Sequence, residues 1–204
     1  MTESLQAIEI ETRPKPSHSV IWLHGLGADG NDFVPIVREL SLPPLGIRFV
    51  FPHAPMRPVT INGGFVMRAW YDIAQQDLAM KEDEHGVRQS QNMIEELIAK
   101  EQARGVPLRR IVIAGFSQGG AMSLQTGLRQ PERLAGVMSL SAYLPLASTI
   151  EIERNTANNG VPIFLGHGAA DNIVALPLGI ASRDRLLKLG YDVDWHQYPM
   201  PHSV

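Results

Sequence analysis

Gly115-Phe116-Ser117-Gln118-Gly119 has the pattern G-x-S-x-G, and it follows the short apolar run Ile111-Val112-Ile113-Ala114. A β-branched run of this kind reads as a buried strand. The small residues Gly119-Gly120-Ala121 behind the serine let a helix start tight against the sheet. In such a strand–turn–helix setting a serine is held exposed on a strained elbow. Glycine neighbours are needed there because the turn crowds any Cβ. The chemistry on offer is nucleophilic: a serine hydroxyl attacks a carbonyl once a base takes its proton and an acid orients that base. A chance pattern in a βα turn is the plain alternative, and the strand in front of it weighs against that.

The base must come late in the chain, since on this type of fold the order is serine, then acid, then histidine, each at the carboxyl end of a strand. Three histidines lie beyond Ser117: His167, His196 and His202. His167 comes too early to follow an acid, and His196 lies within an alternating strand. His202 falls in a loop just past the last strand, after Pro199-Met200-Pro201, and is the expected base. Asp171 follows the strand Ile163–Leu165 by a Gly-rich turn and is the expected acid. Its plain alternative is a helix N-cap. Asp192 and Asp194 fall at or inside the last strand and read as solvent-facing.

A tetrahedral oxyanion needs two backbone N–H donors. One comes from the residue after the nucleophile, Gln118, and Leu26 in His24-Gly25-Leu26-Gly27 is the natural second. Gly25 to Gly30 also satisfies G-x-G-x-x-G after a strand, a dinucleotide fingerprint. That fingerprint wants an acid at the end of the following strand. Ile47 to Pro55 contains none, so dinucleotide binding is set aside.

The elements that must position these residues follow from pattern. Ile8–Thr12 alternates and reads as an exposed edge strand. Ser19–Leu23 and Ile47–Phe51 read as buried strands, with Asn31 or Asp32 capping a short helix through Leu40 between them. His53 to about Asp83 shows no clear period. Its apolar content, including Phe65, Met67, Trp70, Tyr71 and Leu78, points to an ordered wall. Val87, Ser90, Gln91, Ile94, Leu97 and Ile98 fall at helical spacing, with Gly105 as the stop. A strand at Ala135–Leu140, a loop at 141–160, a helix at Pro177–Leu189 and a last strand at Asp192–Tyr198 complete the chain. Strands alternating with helices imply a mostly parallel sheet covered by helices on both faces. The fold class is therefore α/β, in a single domain over residues 1–204.

The totals agree with this. The chain has 204 residues, 44% of them hydrophobic, a net charge of −3 and no cysteine. The size suits one domain with a sizeable core, and the charge leaves no footprint for nucleic acid. The absence of cysteine excludes disulfides and thiolate metal sites and fits a reducing compartment. The N-terminus carries no signal-peptide pattern. The uncharged run Leu134 to Ile150 reads as strand plus loop rather than a membrane span. Stable membrane insertion is therefore not expected, and a cytoplasmic protein is.

These blocks resemble the phospholipase/carboxylesterase family of α/β-hydrolases, which includes acyl-protein thioesterases. The similarity is carried by Trp22-Leu23-His24-Gly25-Leu26-Gly27, Thr60-Ile61-Asn62-Gly63-Gly64, Trp70-Tyr71-Asp72 and Gly115–Gly120. Leu140–Pro145, Gly166-His167-Gly168 with Asp171, and Tyr198-Pro199-Met200 with His202 extend it over nearly the whole chain. The resemblance implies a Ser117–Asp171–His202 triad, oxyanion donors at Leu26 and Gln118, no cofactor and no metal. It also implies hydrolysis of carboxylic esters or acyl thioesters, with a lipid or an acylated protein as substrate. In the family the segment after the third strand forms part of the acyl channel, which implies substrate contacts from Met67, Trp70 and Leu78. Two departures stand out. Pro201 precedes the histidine where the family usually has a small residue, which puts the presentation of His202 in question. The family also runs on past this histidine into a closing helix, whereas this sequence stops at Val204. A non-catalytic binding module on the same fold, or a peptidase or acyltransferase using the same triad, are the competing readings. The sequence leaves the oligomeric state open, and a homodimer is compatible with it.

Overall fold

Alternate side chains of a strand point to opposite faces of its sheet. The strand β2 (His18–Leu23) shows what this does. Ile21 and Leu23 enter one buried cluster, and Trp22 enters another with Phe33, Phe49 and Phe51. A strand buried on both faces belongs in the middle of a parallel sheet. The computed structural model, which describes residues 5–75 and 82–204, has that arrangement.

The strands β1 (Ala7–Glu11), β2, β3 (Ile47–Pro52), β6 (Ile111–Phe116), β7 (Gly136–Leu140), β8 (Ile163–Gly168) and β9 (Val193–Tyr198) form a seven-stranded sheet. Their spatial order is β1-β3-β2-β6-β7-β8-β9. Only β1 is antiparallel, pairing β3 at the edge; the other neighbours are parallel. The helices are α1 (Glu84–Ala103), α2 (Gln118–Gly127), α3 (Ile150–Glu153) and α4 (Leu176–Lys188). Buried residues from all four, among them Ile94, Met122, Ile150 and Leu186, join the cluster that holds Ile21, Ile113, Val137 and Ile163. Among the described residues the opposite face carries a 3-10 turn, Val34–Arg38, packed beside Phe33, in place of an α-helix.

That turn corrects the reading of a capped helix through Leu40. Neither Asn31 nor Asp32 caps it; its N-cap is Phe33, with no side-chain cap bond. The side chain of Asp29 takes the Asn31 N–H at 2.7 Å, a local turn that competes with helix initiation. The aperiodic stretch after β3 is ordered and holds a hairpin, β4 (Met56–Val59) against β5 (Phe65–Arg68), turned through Gly63 and Gly64 at φ 68° and 80°. α1 starts on Asp83, whose side chain accepts from the Gly86 N–H, and it stops at Gly105, φ 92°.

In an open parallel sheet, ligands bind beyond the carboxyl ends of the strands. Here the segments that leave β2, β6 and β8 carry Leu26, Ser117 and Asp171 to that edge.

Candidate active site

Ser117 sits between β6 and α2 with φ 54° and ψ −121°, a conformation that L-residues rarely adopt. Two close approaches make the elbow. A Cβ on Gly115 would lie 2.2 Å from the Gly119 carbonyl oxygen, and one on Gly119 would lie 2.2 Å from that of Leu23. The second approach brings α2 onto the end of β2, so the loop after β2 meets the serine: an added Cβ on Gly25 would lie 3.4 Å from Ser117 Cβ.

His202 bridges the serine and the acid. Its Nδ1 lies 2.7 Å from Asp171 Oδ2 and its Nε2 lies 2.9 Å from Ser117 Oγ. A carboxylate only accepts, so Nδ1 carries the proton and Nε2 is free to accept from the serine hydroxyl. The Phe116 ring packs on the imidazole, with centroids 4.7 Å apart. Pro201 has not displaced the histidine, because the turn that bears it is held by main chain. Ala169 N–H donates to Tyr198 O at 2.8 Å and Ala170 N–H to Met200 O at 3.1 Å. Gly168 leaves room for that turn, since a Cβ there would lie 2.4 Å from Pro201 O.

Asp171 is not spent as a helix cap: α4 starts after Ala175, with no side-chain cap. Its Oδ1 accepts the Ile173 and Val174 N–H groups, each at 2.9 Å, leaving Oδ2 for His202. Burial pushes its pKa up, but the hydrogen bond from His202 and the two N–H donors outweigh this and hold it below the ordinary value. His167 clamps the same turn: its Nε2 lies 2.8 Å from Val174 O, and its ring fills the space beside Gly179. His196, by contrast, is exposed and pairs with Asp194.

Leu26 and Gln118 line the same cavity as Ser117, and neither backbone N–H has a hydrogen-bond partner among the described residues. Their loop is held by groups that pattern reasoning did not single out. His24 Nε2 accepts from the Ala54 N–H at 3.0 Å, so its Nδ1 carries the proton and donates to Gly25 O. Burial lowers the His24 pKa, which keeps this tautomer neutral. Gly27 N–H donates to Arg68 O at 2.9 Å.

A cavity of about 500 Å³ opens on Ser117, Gln118 and Leu26. Tyr71, Ile73, Tyr143, Val174 and Leu178 form more of its wall, with Ile61, Asn62, Asn172 and Ile173 also along it. Among the described residues none of its lining side chains is charged. Trp70 is fully buried and does not line it; its indole N–H donates to His24 O at 2.9 Å, so it supports the loop after β2 from behind. Met67 stands one residue removed, its sulfur 3.3 Å from the lining Asn62 amide. Leu78 lies outside the described residues. No group of three His, Cys, Asp or Glu side chains among the described residues could hold a metal.

A mostly parallel sheet with a serine on its strand–helix elbow, hydrogen-bonded to a histidine that an aspartate holds, places the molecule in the α/β-hydrolase class. Comparison with known proteins narrows this. Residues 5–204 match the phospholipase/carboxylesterase family model, and the chain belongs to that family. It is 39% identical over 203 residues to acyl-protein thioesterase 1 of Yarrowia lipolytica, covering 97% of this chain and 89% of that protein. It is 42% identical to acyl-protein thioesterase 1 of Neurospora crassa, covering 91% of this chain and 80% of that one. Among solved structures it is similar to Arabidopsis thaliana SOBER1, with a TM-score of 0.87, 32% identity and coverage of 92% and 91% of the two chains. Zea mays acyl-protein thioesterase 2 gives 0.83, 30% identity and coverage of 97% and 92%.

Proposed function

We propose that the protein is a serine hydrolase that cleaves carboxylic esters or acyl thioesters through an acyl-enzyme. The observation that carries this reading is the 2.9 Å contact between Ser117 Oγ and His202 Nε2. Ser117 Oγ attacks the carbonyl carbon as its proton passes to His202 Nε2, and Asp171 stabilises the imidazolium that forms. The oxyanion is received by the Leu26 and Gln118 N–H groups, each worth on the order of 3 kcal/mol in the transition state. When the tetrahedral species collapses, the alcohol or thiol leaves with the proton from Nε2 and the acyl group stays on Oγ. Water then attacks by the same route, giving the carboxylic acid and free Ser117.

The described residues of the cavity wall carry no charged side chain, which favours a neutral acyl chain. Acyl-protein thioesterases among the relatives support an acylated protein or a lipid as the source of that chain. A cytoplasmic location belongs to the same reading; no helix of the described residues is long and apolar enough to cross a membrane. The test is reaction with a fluorophosphonate, locating the adduct by peptide mass. Rapid labelling of Ser117 that is lost in His202→Ala is expected. Equal labelling of both proteins would sink the mechanism.

A further inference from the structure

Two phenols share the cavity wall. Tyr71 follows the buried Trp70, and Tyr143 follows the turn out of β7; they are 2% and 7% exposed. Their hydroxyl oxygens lie 3.0 Å apart, and neither has another hydrogen-bond partner among the described residues. A pair of hydroxyls carries two hydrogens, and the single bond between them consumes one. One O–H donor is therefore left over, in a cavity wall that Leu26, Ile73, Val174 and Leu178 share with the polar Ser117, Asn62 and Asn172. Burying such a donor without an acceptor is unfavourable. Burial pushes the Tyr143 pKa up to about 12 and that of Tyr71 well above its ordinary value, so both phenols stay protonated at working pH.

Behind the pair lies a recess of about 10 Å³, bounded by both tyrosines and Glu82. That is room for one water at most. Glu82 is committed elsewhere through Oε1, which accepts the Leu146 N–H at 2.9 Å. Its nearby carboxyl also disfavours an anionic group at the tyrosines.

We propose that Tyr71 and Tyr143 form a donor subsite that selects substrates bearing an uncharged oxygen acceptor in the acyl chain, at a fixed distance from the scissile carbonyl. This rests on the ester-hydrolase reading and adds to it a substrate class: oxygen-bearing acyl groups over plain alkanoyl ones. A plain chain strands the donor, whereas an ether, keto or hydroxyl oxygen at the right position satisfies it.

The experiment is an ether scan. Full-length protein is assayed with a p-nitrophenyl alkanoate and with the same ester carrying one methylene replaced by oxygen, moved position by position. At one position the oxygen-bearing ester is expected to exceed the alkanoate in kcat/KM by roughly three- to tenfold. Tyr71→Phe/Tyr143→Phe together should bring that ratio to about one, while each single variant keeps one hydroxyl free to donate. A flat profile in the active wild-type enzyme overturns this inference alone, and so does a preference that survives the double substitution. A water held in the recess would produce that flat profile. Where the double variant does not fold, the two single variants decide: the one remaining hydroxyl sits at a different place in each, so the preferred oxygen position must differ between Tyr71→Phe and Tyr143→Phe, and the same profile in both overturns the subsite. Failure to hydrolyse any ester would instead overturn the hydrolase reading beneath it.

Discussion

The backbone N–H of Trp70 donates to the side-chain Oε1 of Gln118 at 2.8 Å. The same carboxamide donates from Nε2 to Tyr71 O at 2.7 Å, so the residue after Ser117 staples the segment that carries the cavity wall. Gln118 thus has two separable parts, a main-chain donor beside Ser117 and a side chain that holds residues 70 and 71. Gln118→Ala keeps the first and strips the second, leaving a buried N–H and a buried carbonyl unsatisfied. At about 1–3 kcal/mol for each, a loss of about 2–6 kcal/mol is expected in urea unfolding. An unchanged midpoint would show that the staple carries no stability.

Asp171→Asn tests the orienting acid. The amide has roughly the shape of the carboxylate but can present N–H to His202, which then turns the wrong nitrogen toward Ser117. A fall in kcat by about 10⁴ is expected for this kind of change. Retention of more than a tenth of wild-type kcat would mean that another group orients the imidazole.

Gly119→Ala tests the close approach of α2 to β2. The added methyl would lie 2.2 Å from Leu23 O, backbone that cannot swing aside. We expect destabilisation of about 3 kcal/mol. Fluorophosphonate labelling should be lost as well, since the helix must retreat and take the Gln118 N–H with it. A variant that folds and labels normally would refute the geometric account of the elbow.

Acid should weaken the protein at Glu153, which among the described residues shares no hydrogen bond with Ser117, Asp171 or His202. Glu153 accepts from Arg88 at 2.6 Å, and despite some desolvation that bond, with those from Thr149 and Arg129, brings its pKa down to about 2. A depressed carboxyl stabilises the fold above its ordinary value of 4.5, and that stabilisation is lost as pH falls toward about 2. The Glu153 side chain is 27% exposed, so solvent screening limits the contribution to about 1 kcal/mol. Unfolding measured across this window should show a shallower slope in Glu153→Gln. Parallel wild-type and variant curves would remove Glu153 from the acid limb.

How far the sequence could be read depended on whether position along the chain or packing across it decided the matter. The elbow at Ser117 is local, because its glycines and β-branched strand are contiguous. Asp171 and His202 followed from strand order, and the structure has both in hydrogen-bonded contact with their neighbours. The parallel sheet was legible from its apolar runs. The hairpin of β4 and β5 was not, since Pro58 and Arg57 break any alternation. Trp70 shows the limit most clearly. An aromatic in an aperiodic stretch reads as wall, yet its indole N–H finds His24 O and draws the ring inward. Tyr143, Ile73 and Leu178 come from separate segments whose convergence has no signature in spacing.

Gly168 has a bearing on how this site tolerates change. Because the turn from Tyr198 to His202 rests on β8 through carbonyls and amides, the side chain at position 201 takes no part in aiming the histidine. Pro201 is then one of many residues that the position accepts, and mutational freedom at 201 is the counterpart of rigidity at 168. A randomised library at position 201 should return active clones of widely different chemistry, while one at 168 should return glycine.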